Sequence, residues 1–248
     1  MRANVIIAAT TLFLLSLPQA ARADPGVGDP VYGATLQRGT LELESRLGRL
    51  TGGARDATDG LVLEGEYAFS NRFAAAVLVE TGREPGGARH VEATAIEMIH
   101  TLGRIKPLAI DVALYGEYKH GLRGNDDALE AKLLIEHRAG PFDARLNLIG
   151  ERPLRNGEPV ELSYAGSADW ALIGDEVRAG LQAFGDLGTT KRFGGRQDAY
   201  VGPVIKAEIE HIGPGEIEIE AGWLRAFGSA RDHTGGQARL LISYEIKL

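Results

Sequence analysis

The chain has 248 residues, of which 25% are charged, and carries a formal net charge of −7. It contains no cysteine, which excludes disulfide bonds and any metal site with Cys ligands. Because an acidic protein repels phosphate backbones, we expect no nucleic-acid partner.

The first 23 residues have the layout of a cleaved secretory signal peptide. Arg2 gives a positive start, residues 5–17 are almost wholly apolar, and Ala21-Arg22-Ala23 forms an A-x-A cleavage site. This apolar stretch is too short for an anchoring helix, which needs about 20 residues. We therefore expect cleavage after Ala23, with residues 1–23 removed and residues 24–248 exported as one domain. Loss of Arg2 and Arg22 takes the formal charge from −7 to −9.

From residue 40 onward, apolar and polar residues alternate with a period of two. In the run 129–136, Leu129, Leu133 and Ile135 alternate with Glu130 and Glu136. Such alternation indicates strands with one apolar and one charged face, since strand side chains point to opposite faces in turn. Twelve segments of this kind are predicted: 38–48, 60–69, 72–82, 90–101, 108–120, 127–138, 142–152, 159–169, 176–186, 198–209, 215–227 and 236–248.

Short and long connections alternate between these segments. Tight turns at 70–71 and 139–141 are followed along the chain by longer stretches such as 82–89 and 153–159, which are rich in Gly, Asp, Asn and Arg. Transmembrane barrels have short periplasmic turns and longer outer loops. The pattern therefore predicts an all-β fold: a single closed, antiparallel, up-and-down transmembrane β-barrel of about twelve strands.

Three further properties favour a membrane barrel over a soluble one. The segments are about ten residues long, which suits a tilted bilayer crossing. Their apolar faces contain small residues such as Ala131 and Ala144, which fill a large core poorly. Twelve strands would also leave a soluble barrel too wide to fill. Aromatic residues lie near the strand ends, where interfacial girdles form: Tyr67, Phe69, Phe73, Tyr118, Phe142, Trp223 and Tyr244.

The last segment is apolar at every second position up to the terminal residue, with Leu240, Ile242, Tyr244, Ile246 and Leu248. It resembles the C-terminal strand that the barrel assembly machinery recognises in outer-membrane proteins, although those usually end in an aromatic residue. With runs such as 66–73 and 200–203, the whole mature chain resembles uncharacterised porin-like or transporter-like outer-membrane barrels of Gram-negative bacteria. The resemblance implies the fold, an outer-membrane location and contact with outer-membrane lipid, but assigns no binding residue.

In this arrangement the charged faces line the lumen. Sixteen residues are predicted to do so: Glu64, Glu66, Asp111, Glu117, Lys119, Glu130, Lys132, Glu136, Arg138, Arg145, Arg178, Lys206, Glu216, Glu218, Glu220 and Arg239. These charges either line a hydrated, selective pore or pair across strands into a salt-bridged plug. The acidic triplet formed by Glu216, Glu218 and Glu220 is the best candidate for a patch that attracts cations.

No sequence motif points to catalysis. The chain has no G-x-S-x-G nucleophile elbow, no H-E-x-x-H zinc motif and no phosphate-binding loop. We therefore expect no enzyme activity, no catalytic residue, no cofactor and no metal site. The leading hypothesis is a narrow channel or transporter for small polar or charged solutes of unknown identity. The alternatives are a charge-plugged structural or interaction barrel acting through its outer loops, and a soluble periplasmic ligand-binding barrel.

Overall fold

The computed structural model describes residues 28–248, so the predicted signal peptide lies outside the described residues. Twelve long strands make up the structure, with one two-residue strand added. In chain order they are β1 (Thr40–Thr51), β2 (Asp59–Ser70), β3 (Phe73–Arg83), β4 (His90–Ile105), β5 (Ile110–Gly121), β6 (Ala128–Ala139), β7 (Phe142–Pro153), β8 (Glu161–Ile173), β9 (Val177–Thr189), the short β10 (Arg192–Phe193), β11 (Asp198–Ile212), β12 (Gly215–Gly228) and β13 (Gly236–Lys247).

The twelve long strands form one closed antiparallel barrel. Each pairs with the next along the chain, and β13 pairs with β1 through twelve residues of each strand, which closes the wall. β10 only extends the hairpin after β9. The short turns lie at one end and the long connections at the other. Two single-turn 3₁₀ helices, Lys106–Leu108 and Ala230–Asp232, lie in connections. In the described part of the chain, no helix is long and apolar enough to cross a membrane.

The predicted strands are confirmed, with boundaries that differ by a few residues. The largest differences are at the ends of β4 and β8, which continue to Ile105 and Ile173. Both strands contain a register shift near this end, between Thr101 and Gly103 in β4 and between Ala171 and Ile173 in β8. A bulge inserts a residue and breaks the strict alternation of faces, so periodicity alone places the end of the strand too early.

The two faces of the wall differ as a membrane barrel requires. Large apolar side chains lie on the outside, including Val77, Leu114 and Leu181, which are 63%, 48% and 57% exposed. The buried inner face holds Glu136, Asn147 and Gln237. Outward aromatic residues lie near both ends of the wall: Tyr67, Phe69, Phe73, Phe142, Trp170 and Tyr244 towards the short turns, and Tyr118, Tyr164, Trp223 and Phe227 towards the long connections.

Leu133 tests this orientation, since it lies outward near the middle of β6, paired with Leu114 and Leu148. We expect Leu133→Arg to block membrane insertion, because a charge at the bilayer midplane costs about 2–4 kcal/mol. Glu130→Gln, on the inner face of the same strand, should leave insertion intact. Heat-modifiable migration in the outer-membrane fraction measures both outcomes. Equal loss of insertion in both variants would contradict the assigned faces.

Candidate functional site: the barrel lumen

Residues 28–39, which we call the N-terminal segment, lie inside the barrel. The segment joins the wall at the short-turn end, where Gly39 N–H donates to Ala68 O at 2.8 Å and Leu248 N–H donates to Gly39 O at 2.8 Å. From there towards residue 28, the segment extends to the side of the long connections. Arg239 of β13 donates a hydrogen bond to the backbone oxygen of Asp29. Nothing in the alternation pattern predicted this placement, because the segment contains Pro30 and Gly33 and has no strand period. The lumen therefore contains part of the chain itself.

Tyr32 attaches the segment to the wall through both its backbone and its side chain. Asn147 binds both its backbone groups: Tyr32 N–H donates to Asn147 Oδ1 at 2.8 Å, and Asn147 Nδ2 donates to Tyr32 O at 3.0 Å. The Tyr32 hydroxyl lies 3.2 Å from each carboxylate oxygen of Glu97 on β4. Its ring packs against Tyr115 at a centroid distance of 5.0 Å. Three strands of the wall, β4, β5 and β7, thus contact a single residue of the segment.

A second attachment lies closer to the short turns. Ala34 N–H donates to Glu136 Oε2 at 2.8 Å and the Thr35 hydroxyl lies 3.2 Å from the same oxygen. Thr101 Oγ1 donates to Ala34 O at 3.0 Å. Ala34 is fully buried in an apolar cluster with Ala68, Ala74, Ile99, Ala113, Tyr115 and Leu134. These bonds satisfy backbone groups that would be costly to leave unpaired in a buried setting.

Lys132 is a buried cation of the inner wall that contacts the segment. Its ammonium lies 4.6 Å from the Tyr32 ring centroid and 4.3 Å from that of Tyr115, both within cation–π range. It also pairs with Glu130 at 2.9 Å. The ammonium therefore connects β6 with Tyr32 of the segment and with Tyr115 of β5.

Much of the remaining inner wall is paired, acid against base. Arg46 Nη1 lies 2.7 Å from Glu64, and Lys206 Nζ lies 3.3 Å from Asp169 and 3.4 Å from Glu220. Mid-height, the lumen is thus filled by ion pairs and by the N-terminal segment.

One part of the inner wall departs from this pairing. Glu66, Glu42, Glu245 and Glu216 lie directly opposite one another on β2, β1, β13 and β12, near the short-turn end. We call these four residues the lower glutamate ladder. None of the four is in an ion pair with any residue between 28 and 248, and Glu208 and Glu218 continue the acidic surface on β11 and β12. Like charges directly opposite in a sheet are destabilising.

A cavity of about 550 Å³ lies on the side of the segment that faces away from the lower glutamate ladder. It reaches the long connections and has Asp29, Tyr32 and Lys132 at its floor. Twelve of its lining residues are acidic and six are basic. We call this cavity the upper vestibule. The segment therefore separates two acidic compartments of the lumen.

All sixteen residues predicted to line the lumen lie on the inner side of their strands, although Arg138 is half-exposed at the rim. Sequence reasoning missed Glu42, Glu44 and Arg46 of β1. The same alternation could have found them, since Leu43 and Ser45 separate these charges. It also missed Glu97, Tyr32 and Asp29. No group of three or more described Asp, Glu or His residues could hold a metal ion.

Asp127 anchors the connection between β5 and β6. It accepts hydrogen bonds from Tyr118 Oη at 2.7 Å and Gly121 N–H at 3.0 Å, and lies 2.9 Å from His120 Nδ1. The hydrogen bond from Tyr118, followed by that from Gly121, holds the pKa of the Asp127 carboxyl below its ordinary value. The anchor is therefore intact above the ordinary pKa and is lost as pH falls through the lowered pKa.

The expected result is that the Gly121 amide resonance titrates with a midpoint below about 3.9, the usual aspartate pKa. Asp127→Asn should remove this titration. An NMR pH titration of the detergent-solubilised protein measures both, and a midpoint at or above the ordinary value would contradict the proposed anchor.

Comparisons with known proteins agree with the fold. No protein-family model and no curated protein sequence matches the chain. Among solved structures, the NanC porin has a TM-score of 0.57 and 11% identity over 83% of this chain and 100% of its own. The KdgM porin in complex with disordered oligogalacturonate has a TM-score of 0.53 and 10% identity over 84% of this chain and 99% of its own. The chain thus has the closed β-barrel fold of outer-membrane porins.

Proposed function

We propose that this protein is an outer-membrane channel for small cationic solutes, with a lumen narrowed by its own N-terminal segment. The observation that carries the cation preference is the lower glutamate ladder. Its four carboxylates lie opposite one another on neighbouring strands, and none is in an ion pair with a described residue. A ring of carboxylates lowers the energy of a cation and raises that of an anion in a narrow pore. Of the predicted acidic triplet, Glu216 and Glu218 belong to this surface, whereas Glu220 pairs with Lys206 at 3.4 Å.

The location is part of the same proposal. A signal peptide cleaved after Ala23 would export the chain, and its apolar outer face would contact outer-membrane lipid. The barrel assembly machinery would recognise β13, which closes the wall against β1 and carries outward Leu240 and Ile242. No nucleic-acid partner or enzymatic step is part of the proposal.

The proposed charge of the solute follows from the carboxylates of this lumen. Oligogalacturonate, present in the KdgM porin structure, is a chain of acidic sugars. The acidic lumen described above would repel such a polyanion. We therefore do not expect this protein to bind oligogalacturonate.

Planar-bilayer recording of the purified, heat-modifiable barrel tests the function. In a potassium chloride gradient, we expect ion conduction with a reversal potential of the sign given by cation preference. Anion preference would refute the cation channel. A folded barrel that conducts no current would favour the second candidate function, a structural barrel acting through its outer loops. The hydrogen bonds of Tyr32 and Ala34 to Asn147, Glu136 and Thr101 support that candidate, because they hold residues 28–39 inside the lumen.

A further inference from the structure

Five glutamates form a continuous row across five neighbouring strands in the upper vestibule. Glu97 of β4 pairs with Glu117 of β5, which pairs with Glu130 of β6. Glu130 then pairs with Glu151 of β7, which pairs with Glu161 of β8. All five line the same cavity. We call this row the upper glutamate ladder; opposed residues in a sheet place their Cβ atoms about 5 Å apart.

Protein cations compensate this ladder only in part. Lys132 pairs with Glu130 at 2.9 Å, while Lys119 pairs with Glu80 at 2.9 Å and lies 3.8 Å from Glu117. Glu97 and Glu151 are in no ion pair with a described residue, although Glu97 accepts the Tyr32 hydroxyl. The three directly opposed like-charge contacts from Glu97 to Glu151 therefore carry a stability cost that two lysines do not remove.

One buried atom of the ladder has no hydrogen-bond partner. The Glu117 side chain is 5% exposed, and its Oε2 accepts the Tyr115 hydroxyl at 2.6 Å. Its Oε1 is buried without a hydrogen bond, since Lys119 Nζ at 3.8 Å is too distant to donate one. A buried carboxylate oxygen with no donor is costly, and a ligand ammonium in the cavity would satisfy it.

From this geometry we infer that the upper vestibule is a binding site for a short linear polyamine, an inference that rests on the proposed function and names its solute class. Ammonium groups separated by a few methylenes would follow carboxylates that repeat about every 5 Å along the wall. Tyr32 and Lys132 form the floor of the site. The polyamine would neutralise Glu117 and Glu151, the ladder residues next to Glu130 on either side.

Isothermal titration of spermidine into the detergent-purified full-length barrel tests the site without requiring ion conduction. We expect saturable binding near one spermidine per barrel, and at least tenfold weaker binding of propylamine, which has a single ammonium. Glu117→Gln/Glu151→Gln should weaken spermidine binding at least tenfold. Glu176→Gln/Asp232→Asn makes the same change in net charge at exposed positions in a turn and in a short 3₁₀ helix, and should leave binding unchanged. Heat-modifiable migration verifies that each variant folds.

Three outcomes would overturn the inference: no saturable binding, equal affinity for spermidine and propylamine, or equal loss of binding in both double variants. The last result would show that spermidine responds to net charge alone. Cation-selective conduction without spermidine binding would refute only the site. Binding by a barrel that conducts no ions would support the site and refute the channel.

Discussion

Deletion of residues 28–35 is expected to raise single-channel conductance several-fold. The deleted residues include Tyr32 and Ala34, which attach the segment to Asn147, Glu136 and Thr101 inside the lumen. Their removal would join the upper vestibule to the compartment near the short turns. The wall should stay closed, because β13 and β1 pair through twelve residues of each strand and Gly39 keeps its bonds to the wall. Planar-bilayer recording of the wild type and the deletion variant measures the effect.

A matched pair of substitutions separates release of the segment from damage to the wall. Asn147→Leu keeps a side chain of similar size but loses both bonds to Tyr32, so we expect intermediate, fluctuating conductance. Gln182→Leu also removes a buried amide, but Gln182 bonds to Glu220 of the wall at 2.6 Å and not to the segment. Its conductance should remain close to that of the wild type. Unchanged conductance in the deletion variant would show that residues 28–35 do not obstruct the pathway.

The wall of this barrel was predictable from local chemistry, but the contents of its lumen were not. A membrane strand must alternate apolar and polar residues, so Leu129, Glu130 and Leu133 identify both the strand and its faces. Tyr32, by contrast, binds Glu97 and Asn147, which lie 65 and 115 positions further along the chain. Such a contact depends on the closed barrel and leaves no periodic trace in residues 28–39.

For the candidate sites, the sequence predicts which residues lie on the inner face of each strand, but not which of them lie opposite one another. Alternation places Glu117, Glu130 and Glu151 on the inner wall, but their direct opposition depends on strand register. Register in turn depends on the turns and bulges, such as the shift near Gly103, which sequence spacing does not resolve. The two glutamate ladders therefore emerge only when neighbouring strands are aligned, although each glutamate is visible in its own strand.

Neutralising two members of the lower glutamate ladder is expected to weaken cation selectivity strongly. In Glu42→Gln/Glu245→Gln, the two paired positions at the centre of the ladder lose their charges. At about 8 Å in a water-like dielectric, each lost charge removes about 0.5 kcal/mol of attraction for a cation. Together, the two losses should lower the cation-to-anion permeability ratio by roughly fivefold or more. Reversal potentials in a potassium chloride gradient measure this ratio.

The same double variant should also be more stable, because it removes repulsion between directly opposed carboxylates that costs roughly 0.2–1 kcal/mol per pair. The temperature at which the folded band disappears on gels should therefore rise. Glu176→Gln/Asp232→Asn changes the net charge equally at exposed positions and should alter neither the selectivity nor this temperature. Wild-type selectivity in Glu42→Gln/Glu245→Gln would show that the region that selects cations lies outside the lower glutamate ladder. Loss of selectivity together with a gain in stability would show that Glu42 and Glu245 favour cation conduction at a cost to the stability of the fold.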